Sequence, residues 1–382
     1  MRPRVCYLLP MRAALIDGPQ ARRKVAGVSL LERMAVALHR GGAREIIIIG
    51  DDPTPSFRRL PPLGIETKTI SSRQAASILE QGEIAVADGA LFAFPTDVRR
   101  VLAEGGRLVD GAGRGLPLEV RRAGVSATDA PPVAAARPAF LVVGDAGLAR
   151  AEREIWDGLE SASDGFLDRW INRPLSRYLT RCLIHTPVSP NSITVLGTLV
   201  GLAGAGLIAA GSHLLAVLGA LVFQLSASID CADGDLARLL FKESRLGKWL
   251  DLILDNVVHL AIFAALAAYA LKAAAPGPAV WLAASTAVGA LLSLAVVIRG
   301  MRLSDQREDP GLRVLIAKVS NRDFSFFVIL FTVLDRPLWF LWPGSILAHV
   351  FWIGLLCAQS ERLRRFFGSE PLRRSLGEIE GT

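Results

Sequence analysis

From Ser192 onward the chain is dominated by apolar runs of Leu, Ala, Val and Gly that are too long for the surface of a water-soluble domain. About 20 apolar residues carry a helix across the hydrocarbon of a bilayer. Within that hydrocarbon only helices and closed barrels satisfy their own backbone groups. The runs divide into six expected spans, near 192–211, 213–229, 247–271, 278–298, 324–341 and 344–361. The first 190 residues instead mix charge, Gly and Pro as a water-facing domain does. The expected fold class is therefore multidomain, an α/β domain followed by an all-α polytopic membrane domain of six transmembrane helices. Its expected divisions are an α/β domain over 1–150, a connector with an interfacial helix over 151–186, a membrane domain over 187–365 and a tail over 366–382.

The net charge of +7 does not point to nucleic acid, because the cations flank apolar spans instead of interleaving with aromatics along a soluble face. Lys242, Arg245 and Lys248 lie in one loop; Arg299, Arg302, Arg307, Arg313, Lys318 and Arg322 lie in another; Arg362, Arg364 and Arg365 lie in the tail. The intervening loops at 211–212, 272–278 and 342–345 are nearly neutral. Loops rich in Lys and Arg stay cytoplasmic. This predicts a multi-pass protein of the inner or cell membrane with both termini in the cytoplasm. The N-terminus shows no signal-peptide pattern. Cys6, Cys182, Cys231 and Cys357 have neither CxxC nor zinc spacing.

Within the first 150 residues, Val5–Leu9, Glu45–Gly50, Ile84–Ala87 and Phe140–Val143 are expected strands. Leu30, Leu31, Met34, Ala37 and Leu38 mark one face of a helix over Ser29–Arg40, which Gly41-Gly42 stops. The alternation of elements suggests a doubly wound sheet. Residues 130–138, rich in Pro and Ala, suggest a loop. Residues 145–163 suggest a polar helix, and residues 166–183 an amphipathic one with Arg169, Arg173, Arg177 and Arg181 four apart. A helix with one basic and one apolar face suits the membrane interface.

The segment DCADGDLARLLFKESRLGKWLDLILD, residues 230–255, sets Asp230 and Asp233 at the end of the second span and Asp251 and Asp255 at the start of the third. Spacings of three and four keep each pair on one helical face. Carboxylates near lipid are expensive unless neutralised. All-oxygen donors suit Mg²⁺ or Mn²⁺. The competing explanation is that each Asp caps a helix or pairs with Arg238, Arg245 or Lys248. The histidines His39, His185, His213, His259 and His349 form no ligand pattern, although His259 shares the face of Asp251.

This segment resembles the signature D-x2-D-G-x2-A-R-x8-G-x3-D-x3-D of the CDP-alcohol phosphotransferase (CDP-alcohol phosphatidyltransferase) family, matched at Asp230, Asp233, Gly234, Ala237, Arg238, Gly247, Asp251 and Asp255. The resemblance covers roughly 164–365. It implies two metal ions held by Asp230, Asp233, Asp251 and Asp255, with Asp255 also the base for the attacking hydroxyl. It places Gly234, Ala237, Arg238 and Gly247 around CMP. The stretch TPVSPNSIT resembles the family's entry to the first span, which gives Asn191 and Thr194 a nucleotide contact or, equally, a helix cap. A CDP-alcohol donor, a polar alcohol acceptor and a homodimer through the membrane domain are further implications.

The stretch DGFLDRWINRPLS, residues 164–176, resembles the inositol-phosphate branch, which includes archaetidylinositol phosphate synthase and di-inositol phosphate phosphate synthase and carries a fused nucleotidyltransferase-like domain. In that branch Arg173 would bind the acceptor's phosphate with help from Arg299 or Arg302; the competing role for these cations is attraction to anionic lipid. In the first domain, Lys24–Gly42 and VADGAL (86–91) resemble sugar nucleotidyltransferases, with Asp88 as a metal ligand. The Gly-rich phosphate loop expected after the first strand is missing. The soluble domain is thus expected to be degenerate. A bifunctional cytidylyltransferase and phosphotransferase, and a non-catalytic membrane transporter, remain alternatives.

Overall fold

The structure, a computed structural model, describes residues 11–51, 57–79, 83–122, 130–159, 168–272, 276–307 and 324–359. The strand expected at Val5–Leu9, the loop cations Arg313, Lys318 and Arg322, and the tail lie outside those residues. The chain divides into two compact units, Met1–Leu159 with Arg238–Lys242 and Glu160–Ala237 with Glu243–Thr382.

The first unit is α/β. In chain order it holds β1 (Met11–Ile16), β2 (Lys24–Val25), β3 (Val28–Ser29), α1 (Leu30–Gly41), β4 (Ala43–Ile49), β5 (Glu66–Ile70), α2 (Ser72–Leu79) and β6 (Ile84–Asp88). There follow β7 (Leu91–Phe92), α3 (Pro95–Glu104), β8 (Arg107–Val109), β9 (Gly115–Arg121), β10 (Pro132–Ala134), β11 (Phe140–Leu141) and α4 (Gly144–Asp157). Seven strands form one sheet in the order β10-β8-β9-β6-β1-β4-β5. The strands β6, β1, β4 and β5 run parallel, and β9 is antiparallel to its neighbours. Ile46 to Ile49 are all buried, as a parallel strand covered on both faces requires.

Helix α1 starts where its sequence says it should. Ser29 Oγ accepts the Glu32 N–H at 3.2 Å, and Gly42 ends the helix at φ 121°. The chain runs from β1 outward through β4 and β5, then returns to β6 on the other side of β1. The carboxyl ends of β1 and β6 therefore flank the crevice where sheets of this kind bind ligands.

The second unit is helical. A π-helical turn over Asp168–Asn172 leads into α5 (Arg173–Leu183), followed by α6 (Pro190–Ala209), α7 (His213–Leu239), α8 (Arg245–Lys272), α9 (Pro276–Arg307), α10 (Phe324–Val333) and α11 (Pro337–Gln359). Five of these, α6 to α9 and α11, are long and apolar enough to cross a membrane. The described part of α10 is 10 residues, ~15 Å of helix, and shorter than a span. Ile208, Ala216, Ala220, Phe223, Val258, Ile262 and Leu266 form the centre of the packing. Glycine sets how closely α6 and α7 approach. A Cβ on Gly219 would lie 2.5 Å from the Gly204 carbonyl oxygen, and one on Gly204 2.8 Å from that of Gly219. Small residues of this kind draw membrane helices together where lipid supplies no hydrophobic drive.

The last two helices divide elsewhere than the sequence suggests. Pro343-Gly344 points to a break at 342–345, yet Pro343 lies inside α11. The chain turns at Asp335, which adopts φ 56°. Its N–H bonds the Thr332 carbonyl at 3.0 Å, and the Arg336 N–H bonds that of Phe331 at 2.8 Å. This is a Schellman-type end with Asp in the left-handed position and Pro337 just beyond. The Tyr269 hydroxyl donates to the Asp335 carboxylate and fixes the turn.

Candidate active site

Helix α7 has 27 residues, ~40 Å, which exceeds the ~30 Å of a bilayer's hydrocarbon. Its final turns carry Asp230, Asp233 and Asp235. The link over 240–244 is short, so the first turns of α8, with Asp251 and Asp255, return beside them. Asp230, Asp233 and Asp251 each turn a carboxylate oxygen into one cluster whose members lie within 4.8 Å of one another. Asp233 is buried; the other two are half-buried.

These residues fit a cation. Asp251 Oδ1 is buried with no hydrogen-bond partner, a costly state for a carboxylate oxygen unless something positive faces it. Carboxylate oxygens are the donors that Mg²⁺ or Mn²⁺ takes, and three of them already converge here. Asp255 falls outside this triad. It lines a small cavity with Asp230, Ser226 and His259, and a second cavity with Asp251. His259 packs edge-on to Phe324, with ring centroids 4.8 Å apart, as a packed polar residue.

The start of α6 completes the site. Ser189 Oγ accepts the Ser192 N–H at 3.1 Å and serves as the cap, so Asn191 is not needed for that role. Asn191 Oδ1 instead approaches Gly247, where it would lie 3.0 Å from an added Cβ. Thr194 Oγ1 donates to Asp233 Oδ2. Gly247 N–H donates to Ser244 Oγ at 2.9 Å and opens α8. Gly234 and Ala237 are half-buried on the last turns of α7, and Arg238 is exposed there.

The second cavity, of about 740 Å³, runs from Asp251 and Asp255 between α8, α9, α10 and α11. Beyond the acids its walls turn apolar, with Phe263, Phe327, Phe331, Leu347 and Phe351 among them. Arg299 and Arg302 are exposed on α9. Arg173 lies in a different setting. Its side chain is 11% exposed, and Nη1 donates to Asp235 Oδ1 at 2.8 Å. Asp235, fully buried, was given no role by the sequence pattern. The available signal was an acid inside an apolar helix, which demands a partner.

In the first unit, Asp88 ends β6 and accepts the Ala90 N–H at 2.7 Å. The loop after β1 holds an internal ion pair, with Arg22 Nε and Nη2 donating to Asp17 Oδ2 at 2.9 and 2.6 Å.

Residues 187–358 match the family model described as CDP-alcohol phosphatidyltransferase. That match covers most of the helical unit. Among curated proteins, the bifunctional IPC transferase and DIPP synthase of Aquifex aeolicus is 34% identical over 109 residues, 28% of this chain and 24% of that protein. Its Thermococcus kodakarensis counterpart is 37% identical over 113 residues, 29% of this chain and 24% of that protein. The phosphatidylinositol phosphate synthase of Streptomyces avermitilis is 40% identical over 81 residues, 21% and 32% of the two chains. The match thus spans about a quarter to a third of these relatives' length. A crystal structure of Mycobacterium tuberculosis phosphatidylinositol phosphate synthase with CDP-DAG bound is 22% identical, covering 49% of this chain and 92% of that one at a TM-score of 0.31. The eight signature residues all fall within the family match, and Asp230, Asp233 and Asp251 converge there.

Proposed function

We propose that the protein transfers a phosphatidyl or related phosphoalcohol group from a CDP-alcohol to the hydroxyl of a polar acceptor and releases CMP. The observation that carries this reading is the partnerless, buried Asp251 Oδ1 beside Asp230 and Asp233, within a CDP-alcohol phosphatidyltransferase domain. Asp230, Asp233 and Asp251 would hold Mg²⁺ or Mn²⁺, with Asp255 contributing to a two-ion site. When bound, such cations neutralise the carboxylates and the charge on the donor's pyrophosphate. Asp255 takes the proton from the acceptor hydroxyl as its oxygen bonds to the donor's outer phosphorus and the bond from that phosphorus to the CMP oxygen breaks. Asn191, Gly234, Ala237, Arg238 and Gly247 cradle the cytidine nucleotide. Arg299 and Arg302 supply positive charge for an acceptor phosphate.

A donor with an apolar tail fits the cavity. Its acidic end lies at Asp251 and Asp255, and its aromatic walls suit acyl chains. CDP-diacylglycerol is the donor we assign, and inositol phosphate is the acceptor the relatives suggest. The enzyme would cross the inner or cell membrane six times, α10 counted among the spans. Both termini and the active site would face the cytoplasm, and the chain would pair as a homodimer through its membrane domain. The names of the Aquifex and Thermococcus relatives favour a bifunctional alternative. Against it, Asp17 holds Arg22 in the loop after β1, where a nucleotidyltransferase cradles triphosphate; residues 1–150 are accordingly a degenerate domain of that kind. The test is CMP release from CDP-diacylglycerol by purified protein with Mg²⁺. Dependence on metal and acceptor supports the assignment; CTP turnover by the full chain would instead revive bifunctionality.

A further inference from the structure

The turns of α7 that carry the metal-site acids have a second polar face. Gln224, Ser228, Ala232 and Asp235 follow one another at spacings of four, four and three, which makes them one stripe. Every member meets α5 or the turn before it. Asn172 Oδ1 accepts from Gln224 Nε2 at 2.8 Å and from Ser228 Oγ at 2.7 Å. Asn172 Nδ2 in turn donates to Asp168 at 2.8 Å. Thr180 Oγ1 donates to the Ala232 carbonyl at 3.4 Å. Asp235 takes Arg173 Nη1 on one oxygen and Ser176 Oγ on the other, the latter at 2.6 Å. Asn172, Ser176, Thr180, Ser228 and Asp235 are at most 1% exposed.

Asp235 is two residues past Asp233, ~200° around the helix, so it points away from the acids that face α6 and α8. Trp170 in the turn before α5 and Tyr178 on α5 meanwhile stay exposed, at 67% and 66%. A helix that only rested on lipid would need no buried ion pair behind it. We propose that Arg173 and Asp235 are positioning residues. With Ser176, their ion pair fixes the rotation of the last turns of α7 and thereby presents Asp230 and Asp233 to Asp251. Arg173 then serves the metal site from behind and is not the acceptor's phosphate ligand. This rests on the reading that the three carboxylates hold a divalent cation.

The test uses the purified full chain in detergent and two readouts, Mn²⁺ affinity by electron paramagnetic resonance and acceptor KM in CMP release. Arg173→Ala and Asp235→Asn should each weaken Mn²⁺ binding by roughly 10- to 100-fold, as loss of an orienting partner does. The double variant should be no worse than either single one, since the two act as a unit. Arg173→Lys, which keeps the charge, should recover most of the affinity, and acceptor KM should stay within about twofold throughout. If the single variants aggregate, Ser176→Ala, which leaves the ion pair in place, should still weaken Mn²⁺ binding. Unchanged Mn²⁺ affinity in the folded variants overturns the proposal. So does a rise of about tenfold in acceptor KM for Arg173→Ala alone, which would make Arg173 an acceptor ligand. A wild-type protein that binds no Mn²⁺ overturns it as well. Mn²⁺ binding without CMP release would remove the proposed reaction while the comparison of variants still decides the positioning role.

Discussion

Replacing Thr194 with Val isolates what holds Asp233. Thr194 is 6% exposed and Asp233 7%, so water cannot substitute for a lost donor. The Thr194 hydroxyl has one proton and two acceptors in reach, Asp233 Oδ2 and the Pro190 carbonyl at 3.2 Å. The carboxylate takes it, because hydrogen bonds to charged acceptors are shorter and stronger. Valine fills nearly the same volume without the donor. The folded state should lose ~1.5–3 kcal/mol, the worth of a hydrogen bond to a charged group. Mn²⁺ affinity should fall by roughly 10- to 100-fold, because an unheld ligand no longer points at the cation. Thr194→Ser keeps the hydroxyl, gives up one methyl worth ~0.8 kcal/mol, and should bind Mn²⁺ nearly as the parent does. The assay is Mn²⁺ titration followed by electron paramagnetic resonance, with thermal unfolding in the same detergent. Parent-like Mn²⁺ affinity in Thr194→Val would mean that the Thr194 hydroxyl does not hold Asp233 for the cation, and so would equal weakening in the Ser variant.

Two further substitutions probe packing and the donor. In Gly201→Ala the new methyl would lie 2.7 Å from Val258 Cγ1 and 2.8 Å from Ser226 Oγ, so unfolding in detergent should show a loss of ~1–3 kcal/mol from overpacking. Gly206→Ala, with nothing within 4 Å, should show no loss. Ala290→Trp places an indole in the apolar part of the 740 Å³ cavity. CMP release should fall by about tenfold or more with a long-chain donor and less with a dioctanoyl one, in line with ~0.8 kcal/mol for each methylene kept from the pocket. Equal loss with both donors would place the tail elsewhere.

The acid pairs were legible because chemistry imposed their spacing. Three- and four-residue steps put each pair on one face, and four acids bordering apolar spans need a counter-charge. The helix α1 was equally plain, with its apolar face and Gly stop. Asp235 was not legible. Its partner Arg173 is 62 residues away and belongs to an Arg repeat that also describes a lipid-facing stripe. Only the fold reveals that Arg173 turns inward to meet Asp235. The end of α10 was hidden for a local reason. Pro343-Gly344 is the louder breaker in sequence, but a proline can be accommodated inside a membrane helix. Asp335 ended the helix by taking a left-handed conformation that Asp adopts less often than Gly. Thr194 was visible as an entry to the first span, while its bond to Asp233 depends on how α6 meets α7.

The most direct measurement is CMP release by the purified protein from CDP-diacylglycerol, with and without Mg²⁺, with and without inositol 1-phosphate, and with Asp255→Asn as control. Release should need both metal and a hydroxyl acceptor, and the Asp255→Asn protein should stay folded and be inactive. Release with glycerol 3-phosphate or inositol in place of inositol phosphate would keep the transfer and replace the acceptor. Full activity in Asp255→Asn would remove that residue as the base, and no CMP from the parent enzyme with any of these acceptors would rule out the transfer reaction.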